Sequence, residues 1–201
     1  MRLFQILRTI ALFLLCLPAL AAADGRTIIV LDGSGSMWGQ IDGKLKLEIA
    51  REALAGVVKT VPADTELGLL AYGHRSKGAC DDIETLVAPA KGTALAIADA
   101  AAKMQFLGRT PLTEAVRRAA AELHSTEEKA TVVLITDGIE TCEGDPCTLA
   151  QELESSGVDF TAHVVGFGLT KDEGKQVACL AEDTGGRYIT ADDLDSLTVA
   201  L

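Results

Sequence analysis

Three groups of short, oxygen-bearing side chains are spaced in a way that could do chemistry. Asp32, Ser34 and Ser36 alternate with Gly33 and Gly35; Thr110 sits between Arg109 and Pro111; Asp137 sits between Thr136 and Gly138. Alternate short side chains on a glycine-softened turn can converge on one point. An all-oxygen cluster suits a hard cation, Mg²⁺ or a relative. Each group also has a plainer reading. The pentapeptide can be an Asx turn whose serines cap a helix. Thr110 can be an ordinary N-cap, since Pro111 suits the first position of a helix. The elements that carry the three groups decide between these readings.

Residues 26–31, with Ile28, Ile29, Val30 and Leu31, are too short an apolar run for a helix and are rich in β-branched residues, so they read as a buried strand ending at Asp32. Residues 44–59 repeat Leu47, Ile49, Ala50, Ala53, Leu54, Val57 and Val58 at helical spacing. Strands follow at 66–72 and 82–87 with no room for a helix between them, which predicts an antiparallel pair. Helices are expected at 94–106 and 112–124, a strand at 131–136, a helix at 147–156 ended by Gly157, a strand at 159–165, a helix at 171–182, a strand at 187–190 and a short helix from Asp192. This alternation predicts an α/β fold: a doubly wound, mainly parallel sheet with one antiparallel edge strand and helices on both faces. Ligands in such sheets sit at the carboxyl ends of the strands, near the point where strand order reverses. Asp32 and Asp137 both end strands there, and two neighbouring carboxylates repel unless a cation or hydrogen bonds hold them.

The chain has 201 residues, 48% of them hydrophobic and only 4% aromatic, which fits one globular domain with an aliphatic core. Arg2 and Arg8, the apolar stretch 10–20 and Ala21, Ala22 and Ala23 read as a secretory signal peptide over 1–23, cleaved between Ala23 and Asp24, leaving a domain over 24–201. The stretch is short for a membrane span; an uncleaved anchor is the alternative. Lipidation at Cys16 is disfavoured by Phe13, Leu14 and Leu15 before it. Cleavage takes the formal charge from −11 to −13, because two arginines and no acids are lost. So acidic a surface repels nucleic acid and anionic lipid. Four cysteines remain, Cys80, Cys142, Cys147 and Cys179, an even number that predicts two disulfides in a periplasmic or secreted protein. The preferred pairing is Cys80–Cys142 with Cys147–Cys179, because the first two lie in loops at the cation edge and the others on helices that crossover handedness puts on one face. Cys142–Cys147 with Cys80–Cys179 is the rival. Zinc would want more closely spaced cysteine or histidine pairs than Cys142 and Cys147 supply.

Asp32-x-Ser34-x-Ser36, Thr110 before a helix and Thr136-Asp137-Gly138 after a strand together resemble the von Willebrand factor type A domain. The likeness covers roughly residues 26–200 and includes all five positions of that family's metal-ion-dependent adhesion site. Ser34 to Gly39 also resembles exported bacterial members. The resemblance implies a Rossmann-like fold. It also implies Mg²⁺ (Mn²⁺ or Ca²⁺ as alternatives) held directly by Ser34 and Ser36, by Thr110 directly or through water, and by Asp32 and Asp137 mostly through water. Neutral hydroxyls leave a cation's charge poorly neutralised, so the site would take an Asp or Glu carboxylate from a protein partner.

Other residues near this edge are weaker candidates. Trp38 is either an exposed partner contact or folded over the domain. Arg75 can steer an acidic partner or lie in a solvated loop with His74. Glu140 and Glu143 can tune the metal, and Glu140 is also a candidate partner contact. Asp81 and Asp82 carry charge for a second ion and nothing more. His124 and His163 have no metal-spaced companion and read as structural.

The expected function is an exported, non-enzymatic binding module. A metal-dependent hydrolase and a purely structural metal-stabilised domain are the alternatives. Phosphotransferases of the haloacid dehalogenase type need Asp-x-Asp after the first strand, and Ser34 stands at the second position. Neither Ser34 nor Ser36 sits in Gly-x-Ser-x-Gly.

Overall fold

A computed structural model describes residues 25–123, 129–156 and 159–201. The signal segment with its Ala23/Asp24 junction, His124 and Gly157 lie outside the described residues. The strands are β1 (Arg26–Asp32), β2 (Gln40–Ile41), β3 (Lys44–Leu45), β4 (Leu67–Tyr72), β5 (Ile83–Ala90), β6 (Ala130–Thr136), β7 (Phe160–Phe167) and β8 (Tyr188–Ala191). The helices are α1 (Lys46–Val57), α2 (Ala94–Lys103), α3 (Leu112–Leu123), α4 (Pro146–Ser155), α5 (Lys171–Glu182) and α6 (Leu194–Ala200).

Six strands form one sheet in the order β5-β4-β1-β6-β7-β8. All neighbours are parallel except β4 and β5. The expected doubly wound architecture with one antiparallel edge strand is therefore what the chain adopts. The central strand β1 reads as a continuous apolar run because both its faces are covered. Ile28 and Val30 pack on the side of α3, α4 and α5, while Ile29 and Leu31 pack on the side of α1, α2 and α6. Strand order reverses between β1 and β6, so Asp32 and Asp137 emerge side by side at the switch point.

The start of the 44–59 helix is a correction. Lys44 and Leu45 pair with Gln40 and Ile41 in a two-stranded hairpin, and α1 begins at Lys46. Asp42 and Gly43 turn the hairpin with φ of 52° and 80°. Asp-Gly is the dipeptide that such two-residue turns favour, so the signal was present under the apolar periodicity. Helix α2 also stops at Lys103, short of Phe106. Residues 104–110 then run as an irregular connector that carries Thr110 toward β1.

The cysteines pair as preferred. Cys80 joins Cys142, with Cα atoms 5.6 Å apart, and Cys147 joins Cys179, at 5.2 Å. The first bridge ties the β4–β5 loop to the loop after β6; the second ties α4 to α5.

Candidate cation site at the strand switch point

Asp32 is fully buried at the end of β1. Its Oδ1 accepts from the Ser34 amide at 2.7 Å and its Oδ2 accepts from Thr136 Oγ1 at 2.8 Å. Tyr72 donates its hydroxyl to Thr136 at 3.1 Å. Burial, then the Asp32 charge, pushes the Tyr72 phenol well above its ordinary range, so it stays a donor. This chain of bonds orients Asp32 with its Oδ1 closing the turn that aligns Ser34.

The turn then leads to two hydroxyls in contact. Ser34 Oγ and Ser36 Oγ are 2.8 Å apart, and Ser36 Oγ donates to Asp137 Oδ1 at 2.6 Å. The other oxygen of Asp137 accepts from Lys46 Nζ at 3.0 Å. Burial, reinforced by Asp32, pushes the Asp137 carboxyl up to about 6, against the opposing pull of Ser36 and Lys46.

Thr110 is brought in by backbone contact. The connector lies on the turn through Leu107 N to Gly33 O at 3.0 Å, Gly108 N to Gly73 O at 2.7 Å, and Gly35 N to Gly108 O at 3.1 Å. So close an approach requires glycine. Gly73 has a φ of 65°, and a Cβ on it would fall 2.4 Å from the Arg109 carbonyl oxygen. Further along, the Thr110 amide donates to Thr141 Oγ1 at 2.8 Å and its carbonyl accepts from the Thr141 amide at 3.1 Å. At the other end, Trp38 Nε1 donates to the Phe106 carbonyl at 2.7 Å, and the Arg51 guanidinium lies 5.1 Å over the Phe106 ring. The connector is thus held along its whole length.

The five candidate residues converge. A Cβ on Gly138 would sit 3.5 Å from Ser36 Oγ and 3.6 Å from Thr110 Oγ1, so Gly138 leaves open a small cradle flanked by the two hydroxyls. All the side-chain donors here are oxygens. Two carboxylates and three hydroxyls fit a small hard cation and offer nothing to a soft one. Among the described residues no group of three or more His, Cys, Asp or Glu can hold a metal, which sets this hydroxyl-rich cluster apart from a zinc-type site. The plain N-cap reading of Thr110 does not apply. The Thr113 amide that a capping Thr110 would bind donates instead to Glu140 Oε2 at 2.8 Å.

Glu140 is thus engaged within the chain. Its Oε1 also accepts from the Cys142 amide at 2.7 Å, so both oxygens serve the α3 N-terminus and its own loop, and neither is offered to a partner. Arg75 is similarly committed: Nε pairs with Asp82 Oδ1 at 2.8 Å and an Nη with Glu84 Oε2 at 3.2 Å. Asp82 is buried and spends its oxygens on Arg75 and on the Arg75 and Ser76 amides, which leaves none for a second ion. Glu143, with a φ of 66°, lies exposed in the loop. His163 accepts from the Arg187 amide at 3.1 Å, a structural role as expected. Trp38 does both things asked of it: its N–H is anchored, yet the residue is 55% exposed. Lys46, Tyr72 and Thr141 were missed, and Thr136 was read only as part of its motif, without a role. Thr136 and Tyr72 stand at strand ends beside Asp32, a position that could have flagged them.

The profile of the von Willebrand factor type A domain matches residues 27–140. The uncharacterized protein YwmD of Bacillus subtilis (strain 168) is 30% identical over 197 residues, covering 91% of this chain and 87% of that protein. Among solved structures, a von Willebrand factor type A protein from Catenulispora acidiphila superposes with a TM-score of 0.68 at 22% identity, over 86% of this chain and 40% of its own. The pilus adhesin SpaC from Lactobacillus rhamnosus GG gives 0.70 at 16% identity, over 87% of this chain and 29% of its own. This chain thus spans less than half of either solved protein, and the likeness to them is one of fold. Matched by the profile over more than half its length, the chain belongs to the von Willebrand factor type A domain family.

Proposed function

We propose that this domain is an exported binding module that docks a protein partner's Asp or Glu carboxylate through a divalent cation, Mg²⁺ in the first instance, held by Asp32, Ser34, Ser36, Thr110 and Asp137. The observation that carries the reading is the convergence of Ser34, Ser36 and Thr110 hydroxyls beside Asp137 at the strand switch point. The cation, when bound, would supply a Lewis-acidic position that an anionic ligand completes. The chain's own residues set the rest. Asp32, locked by Thr136 and the Ser34 amide, holds the turn. Asp137 fixes Ser36. The glycine-lined connector presents Thr110. The hydroxyls dilute the negative charge, and that dilution favours an anion from outside.

Export is supported by the two disulfides, which persist in oxidising compartments. Among the described residues no helix is long and apolar enough to cross a membrane. A pilus adhesin among the fold neighbours is in keeping with an extracellular binding role. Hydrolysis remains the weaker reading, because the Asp-x-Asp pair it would use is replaced by Asp32 and Ser34.

The test is capture of partners from the exported fraction in Mg²⁺, with elution by EDTA, alongside the Ser34→Ala variant. Capture that is lost on chelation and in the variant is expected. Capture indifferent to both would refute the reading.

A further inference from the structure

Among the described residues Lys46 is the cation bonded to the candidate cluster, a charge of the wrong sign for a cation site, and the fold goes to some length to place it. It is the first residue of α1, with its amide donating to the Gly39 carbonyl at 2.9 Å. Its stem lies in a slot between two glycines. A Cβ on Gly39 would meet Lys46 Cε at 3.5 Å, and a Cβ on Gly168 would meet Cε at 3.1 Å and Nζ at 3.2 Å. Gly168 follows β7, far from Gly39 in sequence. The slot closes over the side chain, which is only 14% exposed and ends 3.0 Å from an Asp137 oxygen that is fully buried. Glu173 also feels this ammonium, yet its carboxylate is engaged with Thr170 in the cap of α5. Lysine stems ordinarily snorkel to keep the ammonium in water; this one is turned inward.

We infer that Lys46 is a built-in competing cation that makes the site hold a divalent metal weakly by itself and firmly only together with a carboxylate ligand, and this rests on the metal reading proposed above. The physical reason is charge balance. Asp32 and Asp137 supply two negative charges and Lys46 returns one positive. A divalent cation bound beside Lys46 leaves the cluster with a net positive charge, and like charges at short range in a partly buried site repel strongly. An incoming carboxylate removes that surplus. Without Lys46 the two carboxylates would balance the metal, and the demand for an external anion would fall. Metal and partner binding are thereby coupled, and by linkage the coupling runs equally in both directions.

The experiment measures Mn²⁺ and Mg²⁺ affinity of the folded exported domain by calorimetry and Mn²⁺ paramagnetic resonance, at fixed ionic strength, in chloride and in increasing acetate. In the wild type, acetate should tighten metal binding several-fold. In Lys46→Met, which keeps the stem and removes the charge, metal should bind about tenfold tighter in chloride, and acetate should add little. Lys46→Arg, which keeps the charge, should behave like the wild type, and Lys46→Gln serves if the Met variant does not fold. Thermal melting gives a second readout: without metal the neutral variant should melt lower than wild type, because Asp137 loses its partner, and metal should raise its melting temperature more. Equal metal affinity in wild type and neutral variant, with equal response to acetate, would overturn the role of Lys46 while leaving the metal site intact. Absence of metal binding in both would overturn the metal reading, and this inference with it.

Discussion

At the end of β4, Asp82 accepts from the Arg75 and Ser76 amides and from the Arg75 guanidinium, and Glu84 pairs with Arg75 and His74. At the ends of β1 and β6, Asp32 and Asp137 face hydroxyls, one amide and a single ammonium. Both clusters sit at the same edge of one sheet, and they differ in how complete they are. Burial works against the Asp82 charge, yet Arg75 and the two amides outweigh it and hold the carboxyl below its ordinary range. At Asp137 burial and the Asp32 charge win, and the carboxyl is raised to about 6. A carboxylate that its own chain has satisfied is a structural element. One whose burial and neighbouring charge outweigh the bonds it receives is, on the reading proposed above, where a cation from outside would be stabilised. The contrast teaches that counting acids at an edge says little; what matters is whether the bonds an acid receives outweigh its burial and its neighbours' charge.

The largest effect should come from separating the clusters. The Cys80–Cys142 bridge joins the loop of one to the loop of the other across 62 residues. Its double serine variant should lose about 4 kcal/mol in urea denaturation if the constraint acts on the unfolded chain. A loss below about 1 kcal/mol would mean that hydrogen bonds alone hold the two loops together.

Asp82→Asn attacks the satisfied cluster. It should lose about 2 kcal/mol at neutral pH, since a buried charged acceptor of several hydrogen bonds is replaced. The pH dependence has a definite sign. The folded carboxyl is depressed, so its contribution is present above the unfolded value of about 4 and is lost as pH falls through the lower folded value. Wild-type and variant denaturation curves should therefore converge in acid. Metal affinity should be unaffected.

Ser36→Ala attacks the unsatisfied cluster. Mn²⁺ affinity by calorimetry should fall at least about tenfold, or roughly 1.4 kcal/mol. Addition of EDTA should lower the melting temperature of metal-loaded wild type and leave that of the variant unchanged. A variant that binds metal as well as wild type would place the cation elsewhere.

The smallest effect is expected at Trp38. Trp38→Phe keeps an aromatic ring and removes the bond to the Phe106 carbonyl. It should lower stability by about 1 kcal/mol, read by thermal melting. A further weakening of metal binding would show that this anchor helps the connector present Thr110.

Much of the site was legible because the information is local. Asp32, Ser34 and Ser36 are adjacent in sequence, Asp137 ends a strand as Asp32 does, and Pro111 marks the helix that Thr110 precedes. Parallel strands place their ends at one edge, so local spacing was enough to bring the residues together. The bonds of Glu140 could not be read because its partners are the amides of Thr113 and Cys142. A loop carboxylate looks the same in sequence whether it meets solvent or caps a distant helix. The ion pairs of Arg75 were hidden in the same way, since Asp82 and Glu84 lie across a turn whose shape the residue types do not specify. Lys46 was invisible. At the start of an amphipathic helix a lysine reads as surface, and only the approach of Gly39 and Gly168 turns it inward.

The amino-acid sequence by itself determined the order of the six main-sheet strands and the helices, the apolar centre of β1, the even set of cysteines and the five oxygen-bearing candidates, because each depends on periodicity, turn chemistry or the chemistry of single side chains. The tertiary structure alone decided which carboxyls are held below their ordinary range and which are raised above it. It packed the glycine connector onto the Ser34 turn, gave Glu140 to α3 and Arg75 to Asp82, and set the Lys46 ammonium against Asp137. Those outcomes depend on which distant backbone comes within hydrogen-bonding reach of a buried charge, and that is a property of the packed chain.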